Sequence, residues 1–125
     1  DYATSLSSGT AALHLSLKII GVKSGDYVFC SDLTFVASVN AIKYLGAKPI
    51  FIDCEKSSWN MCSESLEMAF GNYDPKAIIV TDLYGQSADY NTISEICNHS
   101  NKSFYHTCYH TIKYPEMFCS SFITN

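Results

Sequence analysis

The sequence predicts an α/β fold, a mainly parallel sheet with flanking helices on both faces. Two observations carry this expectation. From residue 1 to 97, short β-rich runs alternate with stretches whose apolar residues recur at a period near 3.6. The strand runs are apolar along their length instead of alternating, the pattern of strands covered on both sides. Right-handed crossovers between successive strands are expected.

The elements follow in order. Ser8-Gly9-Thr10 opens a first helix, Ala11 to Ile20, with Leu13, Leu17 and Ile20 among its apolar positions. Gly21 ends it as a left-handed cap, because glycine enters that conformation without a Cβ clash. Ser24-Gly25-Asp26 turns the chain into a strand, Tyr27 to Cys30. A second helix is expected from Thr34 to Leu45, with Phe35, Val39 and Ile42 on one face and Gly46 closing it. A continuous apolar strand from Pro49 to Asp53 comes next, then a helix from Ser63 to Phe70 and a strand from Ala77 to Thr81. The Leu83-Tyr84-Gly85-Gln86 turn leads to a fourth helix, Tyr90 to Cys97.

From Asn98 the pattern changes. Asn98 to Asn125 holds three of the four histidines, three tyrosines, three phenylalanines, two cysteines and one acidic residue, with no period of two or 3.6. The rhythm calls for another buried strand here, and Phe104 to Tyr109 makes a poor one. The expected division is therefore residues 1–97 as one partial domain and 98–125 as a divergent or frameshifted tail.

Composition excludes several classes. At 47% hydrophobic and 16% charged residues, the chain can bury a core and is not wholly disordered. Net charge is −4 without a basic run, which argues against nucleic acid or an anionic membrane as partner. No apolar stretch approaches the roughly 20 residues of a spanning helix, so a cytoplasmic protein is expected. The opening Asp1-Tyr2-Ala3 lacks a starting Met and a signal-peptide pattern, and an upstream start is expected. The six cysteines are irregularly spaced without Cys-x-x-Cys, and read as reduced, mostly buried thiols. Asn98-His99-Ser100 and Asn101-Lys102-Ser103 fit glycosylation sequons that a cytoplasmic protein would not use.

In parallel sheets, ligands gather beyond the carboxyl ends of the strands. Ser8-Gly9-Thr10 at a helix start could cradle a phosphate, through unpaired N–H groups, the helix dipole and the Thr hydroxyl. Taken alone, an ordinary N-cap is the simpler account. Phe35 follows a strand and could stack on a planar ring, or could face the core of an amphipathic helix. Asp82 to Gln86 also follows a strand, and a simple turn around Gly85 explains it equally well. His106-x-Cys108-x-His110, with His99 or Cys119 nearby, holds metal-ligand residue types, but the spacing matches no standard zinc signature and no metal site is assigned.

Together the segments are more specific than any one of them. Residues 7–17, Ser-Ser-Gly-Thr-Ala-Ala-Leu-His-Leu-Ser-Leu, resemble the cofactor-phosphate segment of the DegT/DnrJ/EryC1/StrS sugar aminotransferases. Leu33 to Ser38, Tyr44 to Pro49, Phe51-Ile52-Asp53, Trp59-Asn60-Met61 and Leu83 to Gln86 extend the resemblance, in order, over about residues 3–97. It implies part of the large domain of the aspartate-aminotransferase-like fold (fold type I) and pyridoxal phosphate as cofactor. It also implies nucleotide-linked keto-sugars as substrates, an amino-acid donor and a homodimeric intact enzyme. Carried over, it puts Gly9 and Thr10 at the cofactor phosphate and Phe35 against the pyridine ring, and sets Tyr84 to Gln86 near the site.

The family chemistry also needs a lysine bonded to the cofactor and an acid that keeps the pyridine nitrogen protonated. No Asp-x-x-Gln follows Cys97, and neither Lys102 nor Lys113 has the expected neighbours. No catalytic residue is assigned, and the piece alone is expected to be inactive. Two other readings stay open: a non-catalytic module that binds a phosphorylated ligand through Ser8 to Thr10, and a small metal-binding domain using the tail.

Overall fold

A computed structural model describes residues 5–99 and 105–107. Four strands, β1 (Tyr27–Ser31), β2 (Lys48–Ile52), β3 (Pro75–Thr81) and β4 (Tyr105–Thr107), form one sheet in the order β2-β1-β3-β4. All three pairings are parallel, with Phe29 opposite both Ile50 and Ile78 and with Ile79 opposite Tyr105. The helices are α1 (Gly9–Ile19), α2 (Ala37–Tyr44), α3 (Ser63–Phe70) and α4 (Tyr90–His99), with a short 3-10 turn at Leu83–Gly85.

The sheet sorts its side chains by alternation, since successive residues of a strand point to opposite faces. On one face, Val28, Cys30, Ala77 and Ile79 pack under Leu13 and Leu17 of α1 and Ala37, Ala41 and Ile42 of α2. On the other, Phe29, Ile52, Ile78 and Val80 pack with Leu66 of α3 and Ile93 and Cys97 of α4. Phe29 meets Phe70 edge to face at 5.3 Å between ring centroids, the arrangement aromatic quadrupoles favour. β1 and β3 are thus covered on both sides, which is why their sequences are apolar without alternation.

The elements expected from the sequence are present, with instructive shifts at their ends. Gly21 takes φ +82° and Gly46 takes φ +71°, so both helix-ending glycines adopt the left-handed conformation expected of a cap. α2 starts at Ala37 instead of Thr34, and its buried face is Ala37, Ser38, Ala41 and Ile42. The small residues lie inward and let α2 approach the sheet and α1. Val39 is only partly buried, and Phe35 lies outside the helix.

β2, expected as a buried apolar strand, is the sheet edge: Lys48 is exposed and Phe51 is 51% exposed. Among the described residues it pairs with β1 alone, and Pro49 suits such an edge because it lacks an N–H to donate. β4 falls within Phe104 to Tyr109, where the rhythm required a strand and the composition argued poorly for one. Its three residues join the sheet beside β3, which is buried at every position except Lys76.

Cys30, Cys54, Cys62 and Cys97 are free thiols, two buried and two partly buried; the other two cysteines lie outside the described residues. At the start of α4, Asp89 accepts hydrogen bonds from the Thr92 hydroxyl at 2.7 Å and the Thr92 N–H at 3.2 Å, which hold its carboxyl below the usual range. No helix among the described residues is long and apolar enough to cross a membrane.

Two predictions follow from the packing. Phe29→Ala should destabilise the fold by about 3–5 kcal/mol, measured by urea denaturation, because Phe29 is fully buried between α3, α4 and the sheet. The second concerns Cys30, whose thiol is pushed up to about 12 by burial and by the Asp32 carboxylate. The unfolded chain, titrating near 9.0, loses that proton first, so stability should fall as pH rises from about 9 to about 12. Urea midpoints across that range should fall less steeply in Cys30→Ala.

Candidate functional site

The carboxyl ends of β1 and β3 are tied together by hydroxyl groups. Ser31 Oγ accepts the Thr81 N–H at 3.3 Å, and the Thr34 and Thr81 hydroxyls lie 2.9 Å apart, either one able to donate. Ser31 and Thr81 are buried at 3% and 2% exposure, so these contacts are shielded from water and hold the two strand ends in register. Thr34 is bonded to Thr81 through this hydroxyl pair, and α2 begins three positions after it, at Ala37. Phe35 then emerges with its side chain 67% exposed, which removes the alternative that its ring faces the core.

α1 precedes β1 and packs along the sheet through Leu13 and Leu17, so its amino end lies on the side of the strands' carboxyl ends. Ser8 is the N-cap, with extended backbone (φ −164°, ψ 160°), and its Oγ accepts the Ala11 N–H at 3.2 Å. Gly9 and Thr10 are the first two helical residues, and their N–H groups have no acceptor among the described residues. Such an end, with free donors and the positive pole of the helix, favours an anion. The cap and the anion site are compatible here, because Ser8 satisfies a different N–H.

The third part follows β3. Asn60, 2% exposed, donates from Nδ2 to the Gln86 carbonyl at 2.8 Å and accepts the Leu83 N–H on Oδ1 at 2.9 Å. Asp82, 6% exposed, accepts the Ala88 N–H at 2.9 Å and the Tyr90 hydroxyl at 2.6 Å on one carboxylate oxygen. Between these anchors Tyr84 takes φ +50°, and Trp59, beside Asn60 in sequence, takes φ +63°. Both side chains are exposed, Tyr84 at 84%.

The end of the sheet thus collects Ser8 to Thr10, Thr34 and Phe35, and Asp82 to Gln86. The sequence points to those segments, and the resemblance includes Asn60 within Trp59-Asn60-Met61 without giving it a role. Asn60 contacts residues 23 and 26 positions away, and nothing local in the sequence announces that. Among the described residues no three His, Cys, Asp or Glu side chains are grouped to hold a metal ion. Cys108, His110 and Cys119 of the tail motif lie outside the described residues, as do the side chain of His106 and both Lys102 and Lys113.

The comparisons agree with this architecture. The pattern of the DegT/DnrJ/EryC1/StrS aminotransferase family matches residues 1–112. EpsN of Bacillus subtilis, provisionally named a pyridoxal phosphate-dependent aminotransferase, is 46% identical over 77% of this chain and 26% of its own length. GDP-perosamine synthase of Escherichia coli is 45% identical, covering 81% of this chain and 28% of that enzyme. The structure of NtdA from Bacillus subtilis with bound cofactor PMP superposes with a TM-score of 0.75 at 30% identity, over 80% of this chain and 23% of NtdA. The chain spans about a quarter of the length of the curated relatives it matches. Its parallel sheet with two helical layers is part of the fold type I architecture of pyridoxal phosphate aminotransferases. On sequence and architecture alike, the chain belongs to the DegT/DnrJ/EryC1/StrS aminotransferase family.

Proposed function

We propose that this chain is a partial large domain of an aminotransferase acting on nucleotide-linked keto-sugars, with Gly9 and Thr10 holding the phosphate of pyridoxal phosphate and Phe35 stacking on its ring. The observation that carries this reading is the open amino end of α1 on the same side of the sheet as the exposed Phe35. Two donors without acceptors fit a phosphate, and a ring outside the core fits a planar heterocycle. The name of GDP-perosamine synthase supports a nucleotide-linked sugar as the second ligand. The cofactor supplies an electron sink for transfer of an amino group. Gly9, Thr10 and Phe35 would anchor and orient it.

The rest of the chemistry has no counterpart among the described residues. Lys23, Lys48 and Lys76 lie just before or at the start of strands, and Lys18 and Lys43 lie in the last turns of α1 and α2, away from the site. Lys56 follows β2 in the loop that leads to Trp59. The buried acid at the site, Asp82, is engaged by Ala88 and Tyr90. The proposal therefore assigns binding to residues 1–97 and no catalytic residue. Residues 98–125 are read as a divergent or frameshifted tail, of which Asn98 and His99 end α4 and Tyr105–Thr107 join the sheet as β4. The piece by itself is inactive and, in the intact assembly, works on a sugar nucleotide and an amino-acid donor in a homodimer in the cytoplasm.

The test is a titration of the purified chain with pyridoxal phosphate, followed by reduction with borohydride and mass analysis. Reversible binding should weaken roughly fivefold in Thr10→Ala, the loss of about one hydrogen bond, with no lysine trapped on reduction and no transamination. Binding indifferent to Thr10→Ala would remove the Thr10 hydroxyl from the site, and binding that inorganic phosphate fails to compete would remove the phosphate assignment. A trapped adduct lost on changing Lys102 or Lys113 would overturn the inactivity.

A further inference from the structure

The turn at residues 83–86 is built at a cost that its backbone role does not require. The Gln86 N–H closes it on the Leu83 carbonyl at 3.0 Å, and both central residues have positive φ, Tyr84 at +50° and Gly85 at +83°. Turns with this sign at both centres favour Asn or Gly first, because a Cβ crowds the neighbouring carbonyl there. A tyrosine stands in the first position. Its side chain is 84% exposed and, among the described residues, its hydroxyl has no hydrogen-bond partner and its ring no aromatic contact. It therefore returns little to the fold that holds it there.

What holds it is over-determined. Asn60 grips the turn from beneath at Leu83 and Gln86, and the Asp82 carboxylate fixes the following segment through Ala88 and Tyr90. A strained conformation persists only where its surroundings enforce it, and such residues cluster at sites that bind ligands. The turn begins two residues after Thr81, the last residue of β3, whose hydroxyl lies 2.9 Å from that of Thr34.

We propose that Tyr84 is a ligand-contacting residue that packs its ring against the pyranose of the nucleotide-linked sugar, with Asn60 as its positioning residue. The inference rests on the sugar-nucleotide reading above. An aromatic face suits the C–H face of a pyranose, and the free phenol adds one hydrogen bond to a sugar hydroxyl. Asn60 contributes by fixing the backbone on both sides of the ring, so that little ordering remains when the ligand arrives.

Saturation-transfer NMR on the full 125-residue chain tests this with two probes, GDP-mannose and pyridoxal phosphate. The sugar-ring protons of GDP-mannose should receive saturation from the wild-type chain. Tyr84→Asn should weaken that binding about tenfold while leaving the thermal midpoint equal or higher, since Asn accepts the left-handed backbone. Asn60→Ala should weaken GDP-mannose when Tyr84 is present and not in the Tyr84→Ala background, although it destabilises both alike. A merely structural Asn60 would give the same change in both. Unchanged GDP-mannose affinity in Tyr84→Asn overturns the proposal and leaves the sugar-nucleotide reading standing. Transfer to pyridoxal phosphate but none to GDP-mannose removes the sugar reading and Tyr84 with it, and leaves the phosphate assignment intact.

Discussion

The central strands β1 and β3 are covered on both faces, and most of the remaining structure follows from that. A strand sandwiched between two helical layers can carry only apolar or internally satisfied side chains, so β1 from Val28 and β3 from Ala77 have no room for ligand groups, and the exposed Lys76 stands at the amino end of β3. Chemistry is confined to where the strands run out. Ser31 and Thr81 are the last residues of β1 and β3, and they are polar, buried and bonded to each other's strand. Beyond them the chain is free to present side chains to a ligand.

That constraint also explains what the sequence discloses. β1 and β3 are legible because burial on two faces leaves an uninterrupted apolar run, and α1 because Ser8 and Gly21 bracket its apolar stripe. β2 reads as an interior strand for the converse reason: the run Pro49 to Ile52 is apolar enough for one, and only the pairing shows it to be an edge among the described residues. β4 is hard to read because three residues beside β3 suffice for pairing, and a polar run can supply backbone hydrogen bonds as well as an apolar one. Of the proposed site, Gly9, Thr10 and Phe35 are local in sequence and legible there. Asn60 is visible as part of the Trp59-Asn60-Met61 motif, but its role is not, since that exists only once residues 83–86 are brought to it.

The exposed apolar side chains bear on the surface as a whole. Ile19 on α1, Phe51 on β2 and Met68 on α3 are 74%, 51% and 65% exposed, on three different elements. Scattered apolar groups of this kind occur on most folded proteins and do not define one binding patch. Phe35 and Tyr84 differ from them because each is fixed by polar contacts at a strand end. Exposure alone would not have separated the two groups, and the hydrogen bonds beside Phe35 and Tyr84 do.

The two sides of the site are held with unequal stiffness. On the β1 side, the described side-chain contact that restrains the segment before Phe35 is the Thr34–Thr81 hydroxyl pair, with the Phe35 carbonyl accepting the Ser38 N–H at 3.3 Å. On the β3 side, Asn60 and Asp82 supply four hydrogen bonds to the segment that carries Tyr84. Each such bond contributes about 1 kcal/mol net, and leaving a buried partner unsatisfied costs about 1–3 kcal/mol, so the β3 loop is much the harder to displace. A ligand arriving between the two would meet a firmly held backbone at Tyr84 and a more lightly held one at Phe35. The strain at Tyr84 is consistent with this division, because only the stiffer side can hold a tyrosine in a left-handed turn.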